Sequence, residues 1–202
     1  DLERRARKLI DRAQKPGYTF SQYEAQHDIA ELQAFAEDNR GARDLRDTAI
    51  RCATDLEASL KAAQTYDQKA VELEKELRKK SSLPDHLDLY RQLGNLPRLS
   101  NVAISAPPID ELRAGMLIAI EAVVEMSIER QSQLASIENY QLNLRMLLGD
   151  KKKLEKEGLG HLIGKVDQAI RDLELRREQL RRVAEEGPIR AEIDAMRTDA
   201  RL

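Results

Sequence analysis

The sequence predicts an all-α protein: an elongated antiparallel helical bundle or coiled-coil hairpin built from three long helices plus short terminal helices. Of the 202 residues, 35% are charged and only 3% are aromatic, with no Trp, whereas large rings usually supply much of the area buried in a thick globular core. Ala, Glu, Leu, Lys and Arg are abundant, as in long helices and coiled coils. Apolar residues recur at the helical period, and no segment alternates like a strand bounded by hairpin turns.

A short first helix is predicted over residues 2–14, where apolar residues recur at helical spacing. Pro16 and Gly17 end this helix, because Pro lacks a backbone donor and Gly tolerates positive φ. Ser21 and Glu24 have the spacing of a capping box, which predicts that a new helix begins there.

The second helix is predicted to be long, from Ser21 to Lys80, with a kink or change of phase at Asp38–Gly41. At about 1.5 Å per residue it would measure about 90 Å, which favours an elongated shape. Beyond the break, steps of three and four residues give the seam of an antiparallel helix pair. The seam consists of Ala42, Leu45, Ala49, Cys52, Leu56, Ser59, Ala63, Tyr66, Ala70, Leu73 and Leu77.

The segment 81–108 is predicted to be an irregular link between two long helices, because it holds four of the six prolines. Within it, a short helix over Asp85–Leu93 is expected to stop at Gly94. The segment is more apolar than a simple turn requires. Its apolar residues either cover the bundle or form a recognition tip for a protein partner, since exposed apolar patches mark interaction sites. The candidate partner-binding residues are Tyr90, Leu93, Leu96, Leu99, Val102 and Ile104.

A further long helix is predicted from Ile109 to Glu157, started by the preceding pair of prolines and ended by Gly158. Its heptad pattern is interrupted at Arg130 and Gln133, where we expect a hinge or a register shift. Two apolar stripes indicate two neighbouring helices, so this helix is expected to be the central one of the bundle. The second stripe consists of Leu117, Ile120, Val124 and Ile128.

The last long helix is predicted from about Leu162 to Val183. Gly187 and Pro188 are expected to break it, because Pro removes a helical hydrogen bond. A terminal helix should then follow, with Ile189, Ile193 and Met196 on its apolar face. Helices joined by tight breaks are expected to pack antiparallel.

No constellation of residues predicts catalysis, a cofactor or a metal site. Glu24 and His27 form one Glu-x-x-His pair, but di-iron bundles require a second pair and further inward carboxylates. The glycines at 158–164 have no preceding strand and no Gly-Lys-Ser/Thr sequence of a phosphate-binding loop, so they indicate a helical hairpin turn. Cys52 is the sole cysteine, which excludes an intramolecular disulfide and predicts a buried, inert thiol.

Charge and hydropathy argue against a nucleic-acid or membrane partner. The formal net charge is −2, and the basic clusters lie beside acidic residues rather than in a basic domain. The most apolar stretch, Met116–Ile128, contains Glu121 and Glu125 and falls short of the roughly 20 apolar residues of a spanning helix. No signal peptide is visible, so a cytoplasmic location is expected.

We therefore expect residues 1–202 to be a single elongated module, cut from a larger protein because helical pattern starts at the first residues. The favoured function is non-catalytic: protein–protein interaction or assembly through a protein partner or self-association. One alternative is a helical arm of a larger ATPase or genome-maintenance machine that transmits motion or contacts nucleic acid. Another is a secreted or membrane-active helical protein.

Overall fold

The structure, a computed structural model, describes residues 2–38, 42–132 and 139–199. It confirms the all-α prediction: over these residues the chain forms seven helices and no β-strand. The helices are α1 (Leu2–Ala13), α2 (Gln22–Glu37), α3 (Arg43–Leu77), α4 (Leu83–Leu93), α5 (Ile109–Ser132), α6 (Tyr140–Lys156) and α7 (Gly160–Asp199).

Contacts divide the chain into two compact units. Unit 1 comprises Asp1–Lys79 and Leu89–Gly115, and unit 2 comprises Lys80–Asp88 and Met116–Leu202. The division into two units does not test the expectation that residues 1–202 form a single elongated module, and that expectation stays a prediction.

In unit 1, helices α1, α2 and α3 pack so that consecutive helices run antiparallel. The end of α1 is paired with the middle of α2 by the Arg12–Asp28 ion pair. The start of α2 is tied to the second half of α3, where Gln22 donates to Asp67 over 2.7 Å. The two core clusters of this bundle contain the buried residues Ala6, Ile10, Leu32, Phe35, Ala49, Cys52 and Ala53, and Phe20, Ala25, Ile29, Leu56, Leu60, Ala63 and Val102.

The start of α2 confirms the predicted capping box. The Glu24 amide donates to Ser21 Oγ over 3.1 Å, and the Ser21 amide donates to the Glu24 carboxylate over 2.9 Å. The Ser21 amide and the Ser21 hydroxyl, which also donates to the Glu24 carboxylate over 2.9 Å, lower the pKa of Glu24, because they stabilise its charged form. Gly17, with φ +75°, allows the chain to leave α1 in a conformation that residues with a Cβ rarely adopt.

The predicted single helix from Ser21 to Lys80 is wrong, because it is two helices that fold back on each other. Helix α2 ends at Glu37, where Asp38 is extended, and α3 begins at Arg43. The rest of the predicted break, residues 39–41, lies outside the described residues. The reversal buries Leu32 and Phe35 against the small side chains of α3, and that burial decides against a continuous rod.

Most of the predicted α3 seam is buried, and its buried members from Ala49 to Ala63 lie in the two core clusters of unit 1. Its buried members are Ala49, Cys52, Leu56, Ala63, Tyr66, Ala70 and Leu73. Cys52 is a free, buried cysteine, as predicted. Burial raises the pKa of its thiol, which keeps the thiolate scarce at neutral pH.

Unit 2 contains a second three-helix arrangement, formed by α5, α6 and α7. Helices α5 and α6 run antiparallel, since Ser127 Oγ donates to Asp150 over 2.7 Å and the Asn143 side-chain amide donates to the Gln131 backbone carbonyl over 2.8 Å. Helices α6 and α7 also run antiparallel, with Lys151 and Asp167 paired at 2.7 Å.

Helices α5 and α7 therefore run parallel. Lys165 bridges Glu121 and Glu125 at 2.5 and 2.6 Å, and Arg176 donates to the Ser132 carbonyl over 3.1 Å at the far end. The tight turn that begins α7 includes Gly158 with φ +67°. This confirms that the glycines at 158–164 begin a helical hairpin.

The predicted helix from Ile109 to Glu157 is also wrong, because α6 turns back along α5. In a continuous helix Gln131 and Asn143 would lie about 18 Å apart, yet their groups are hydrogen bonded at 2.8 Å. The predicted phase break falls at the end of α5, although Gln133 and the following residues to 138 lie outside the described residues. Helices α6 and α7 both bond to polar groups of α5, and the expectation that α5 is the central helix of the bundle stays a prediction.

Gly187 and Pro188 do not end the last helix as predicted, because Pro188 lies inside α7. Pro in a helix interior removes one hydrogen bond and costs about 3 kcal/mol relative to Ala. Side chains 181–189 are all exposed, so water can satisfy the carbonyl that loses its donor. The predicted separate terminal helix with Ile189 and Ile193 is therefore the continuation of α7.

Candidate interaction surfaces

The irregular chain after α4 is attached to unit 1 by backbone hydrogen bonds. The Phe20 amide donates to the Asn101 carbonyl, and the Ala103 amide donates to the Phe20 carbonyl, both over 2.7 Å. These bonds form an isolated parallel bridge between Phe20 and Val102. The segment therefore lies along the bundle of unit 1.

Asp67 on α3 holds the end of the same segment. One carboxylate oxygen of Asp67 accepts from the amides of Ser105 and Ala106 over 2.8 and 2.9 Å, and the other accepts from Gln22 over 2.7 Å. On the preceding residue, the Tyr66 hydroxyl donates to the Pro107 carbonyl over 2.9 Å. Hydrogen bonds to a charged acceptor are among the stronger ones in proteins, so this contact fixes where α5 begins.

The predicted partner-binding residues divide by their burial. Three of them are buried, namely Leu93, Leu96 and Val102. Tyr90 and Ile104 are half-buried, while Leu99 is 40% exposed. Partner binding by these six residues stays a prediction. A substitution at a buried member would test folding rather than binding, so Leu99 is the member best suited to a binding test.

Replacing Asp67 with Ala is expected to lower the free energy of unfolding by about 2 kcal/mol, because two backbone amides and one side-chain amide lose a charged acceptor. Urea denaturation measures the loss, and hydrogen exchange should show faster exchange at Ser105 and Ala106. Asp47→Ala is the control, since Asp47 is exposed on the same helix and should change stability by less than about 0.5 kcal/mol. Equal stability of the two variants would show that Asp67 does not hold the segment.

Among the described residues, no group of three or more His, Cys, Asp or Glu could hold a metal ion. The cavity beside Cys52, of about 410 Å³, is lined partly by hydroxyls that already bond to their own helix. Thr48 donates to the Asp44 carbonyl and Ser59 to the Asp55 carbonyl, over 2.8 and 2.9 Å.

Within the part of the chain that the structure describes, no helix is both long enough and apolar enough to cross a membrane.

Helix α7 continues well past the helices that pack against it in unit 2. Arg176 reaches the last residue of α5, and Arg177 lies 4.6 Å from the ring centroid of Tyr140, the first residue of α6. From there α7 runs about 22 residues further to Asp199, or about 33 Å. Along this extension, the side chains of residues 181–189, 191–193 and 196 are exposed.

A heptad-spaced stripe with apolar residues at both ends runs from Leu175 into the extension, on the side of α7 opposite the face that is buried in unit 2. Its members are spaced alternately by four and three residues, and we call them the outer stripe: Leu175, Gln179, Arg182, Glu186, Ile189, Ile193 and Met196. Leu175 lies about 200° around the helix from buried Leu173, at about 100° per residue. The four apolar members are between 45% and 63% exposed. A heptad stripe of this kind suits a second helix.

Sequence reasoning missed the outer stripe because it divided α7 at Gly187 and Pro188. The face that is buried from Leu162 to Leu173 continues past Leu180 with small residues only, at 184, 187 and 191. Beyond Leu173, the apolar members of the outer stripe lie on the opposite face of α7. The regular spacing of three and four residues from Leu175 to Met196 is visible in the sequence. It indicates one shared helix face only if Leu175 and Met196 belong to the same helix.

Comparison of the chain with protein-family models, with curated proteins and with solved structures gave no significant match.

Proposed function

We propose that this chain is a non-catalytic assembly module that self-associates by helix–helix pairing along the outer stripe of α7. The observation that supports the proposal is the heptad-spaced apolar stripe, exposed on the side of α7 opposite the bundle. The sole cysteine is free, as is usual in the cytoplasm, which is the compartment we propose.

The energetics of an isolated helix favour a partner for the extension. Most helical stability in proteins comes from packing of an amphipathic face rather than from intrinsic propensity. The extension contains Gly187 and Pro188, which cost about 1 and 3 kcal/mol relative to Ala. Beyond Arg177, the described parts of unit 2 place no helix beside α7. A paired helix would supply the packing that offsets these costs.

The size of the stripe points to a weak to moderate association. Each copy contributes four large apolar side chains, and burial contributes about 0.8 kcal/mol per CH₂ group. Association itself costs at least about 4 kcal/mol in lost freedom. We therefore expect a dissociation constant of micromolar order, so assembly should depend on protein concentration.

Analytical ultracentrifugation over a range of concentrations tests the proposal. The wild type is expected to shift from monomer to dimer in the micromolar range, while Ile189→Asp combined with Ile193→Asp stays monomeric. Two buried carboxylates per copy would oppose pairing. The control is Ile118→Asp, which changes an exposed apolar residue on α5 and should leave dimerisation intact. A wild type that stays monomeric at every concentration would refute self-association.

A further inference from the structure

We infer that two copies of the chain pair antiparallel along their outer stripes, with the two-fold axis at the level of residue 184, midway between Arg182 and Glu186. This inference rests on the proposed function and adds the orientation of the partner. It depends on where charges lie within the stripe. Arg182 and Glu186 occupy its middle, and apolar residues occupy its two ends.

The two charged positions distinguish the possible orientations. In a parallel, in-register pair, Arg182 would face Arg182 and Glu186 would face Glu186, so like charges would meet in the middle of the interface. In the antiparallel pair, Arg182 of each copy faces Glu186 of the other. The two-fold axis generates this opposite-charge pair twice, and like-charge juxtaposition is what normally excludes a wrong arrangement.

The same antiparallel register brings one pair of apolar residues together, and it places Met196 opposite Asp172. Leu175 of one copy faces Ile193 of the other. Gln179 faces Ile189 in the same way, and both residues of each of these pairs are members of the outer stripe. Because Leu175 lies on the side of α7 opposite the face that is buried on α5 and α6, the partner helix can pass over it without meeting either helix.

The present partner of Arg182 does not prevent this pairing. Arg182 lies 3.6 Å from Glu178 on its own helix, and the side chains are 70% and 45% exposed. An exposed pair of this kind is weak. Arg182 can therefore turn from Glu178 towards a carboxylate of a second copy, in a helix–helix contact that excludes water.

Cross-linking with a short bismaleimide tests the orientation directly. Leu175→Cys and Ile193→Cys are prepared separately and mixed; Cys52 is buried, so the wild type is the background control. The antiparallel register predicts a covalent dimer in the mixture and little in either variant alone. Efficient cross-linking of each variant with itself would show a parallel pair, which overturns this inference and leaves the proposed self-association standing.

A charge exchange provides an independent test. Arg182→Glu alone and Glu186→Arg alone should each weaken dimerisation at least about tenfold, since each creates two like-charge contacts. The double variant should restore it, although the carboxylate introduced at position 182 would still lie beside Glu178 on its own helix. A parallel pair would not show this restoration. If the wild type is monomeric in the same sedimentation experiment, the proposed function itself fails, and this inference fails with it.

Discussion

Replacing Phe20 with Ala is expected to lower the free energy of unfolding by about 3–5 kcal/mol, the usual cost of removing a fully buried ring. Phe20 is 0% exposed and lies between α1 and α2. Its ring meets the ring of Tyr18 edge-on at a centroid distance of 4.8 Å, and its backbone forms the bridge to Val102. The ring therefore supports both the core of unit 1 and the position of the segment after α4.

Urea denaturation measures this loss, and Tyr23→Ala is the control because Tyr23 is a nearby aromatic residue that is 78% exposed. Removing Tyr23 should change stability by less than about 0.5 kcal/mol. Hydrogen exchange should also become faster at the Ala103 amide, which bonds to the Phe20 carbonyl. Similar stability losses in the two variants would contradict the packing described for Phe20.

The second large effect is expected from Leu147→Ala, which should cost about 2–5 kcal/mol. Leu147 is 0% exposed on α6, in the part of unit 2 where α6 runs antiparallel to both α5 and α7. Removing its branched end leaves a cavity, and the surrounding helices can close that cavity only in part.

The adjacent residue gives a matched control on the same helix. Leu148 is 48% exposed, so Leu148→Ala removes the same atoms from a position that still faces water. Both substitutions replace Leu by Ala in a helix, so they change the helix propensity equally. Because Leu148 loses few buried contacts, its substitution should cost no more than about 1 kcal/mol. If the two variants lose equal stability, the assignment of the buried face of α6 is incorrect.

Helix positions were predictable wherever local chemistry specifies them. The capping box at Ser21 and Glu24 supplies hydrogen bonds that only a helix start can use, and the structure contains them. The seam of α3 was predictable for a similar reason. Residues spaced by three and four share one helix face, whichever helix eventually covers that face.

The connections between helices were not predictable in the same way. A heptad pattern reports that a face is covered, but it does not report whether the covering helix follows directly or comes from elsewhere. The sequence pattern therefore allowed one long helix from Ile109 to Glu157. The Asn143 bond to Gln131 instead shows a hairpin, in which α6 runs back along α5.

The segment 81–108 shows the same contrast between local signals, which the sequence reveals, and long-range contacts, which it does not. The apolar character of segment 81–108 was evident, but the anchor for its end is Asp67, which looks in sequence like an ordinary surface carboxylate. Its amide partners at Ser105 and Ala106 lie 38 and 39 residues away. A contact across that separation leaves no periodic signal in the chain.

The sequence by itself determined that the protein is helical, which faces of its helices are apolar and where several helices begin, because backbone bonding and side-chain spacing act over a few residues. The tertiary structure decided which breaks become reversals, that Leu93, Leu96 and Val102 are buried, and that Pro188 lies inside α7. These outcomes depend on contacts between distant residues and on whether water reaches a carbonyl, and a local pattern records neither.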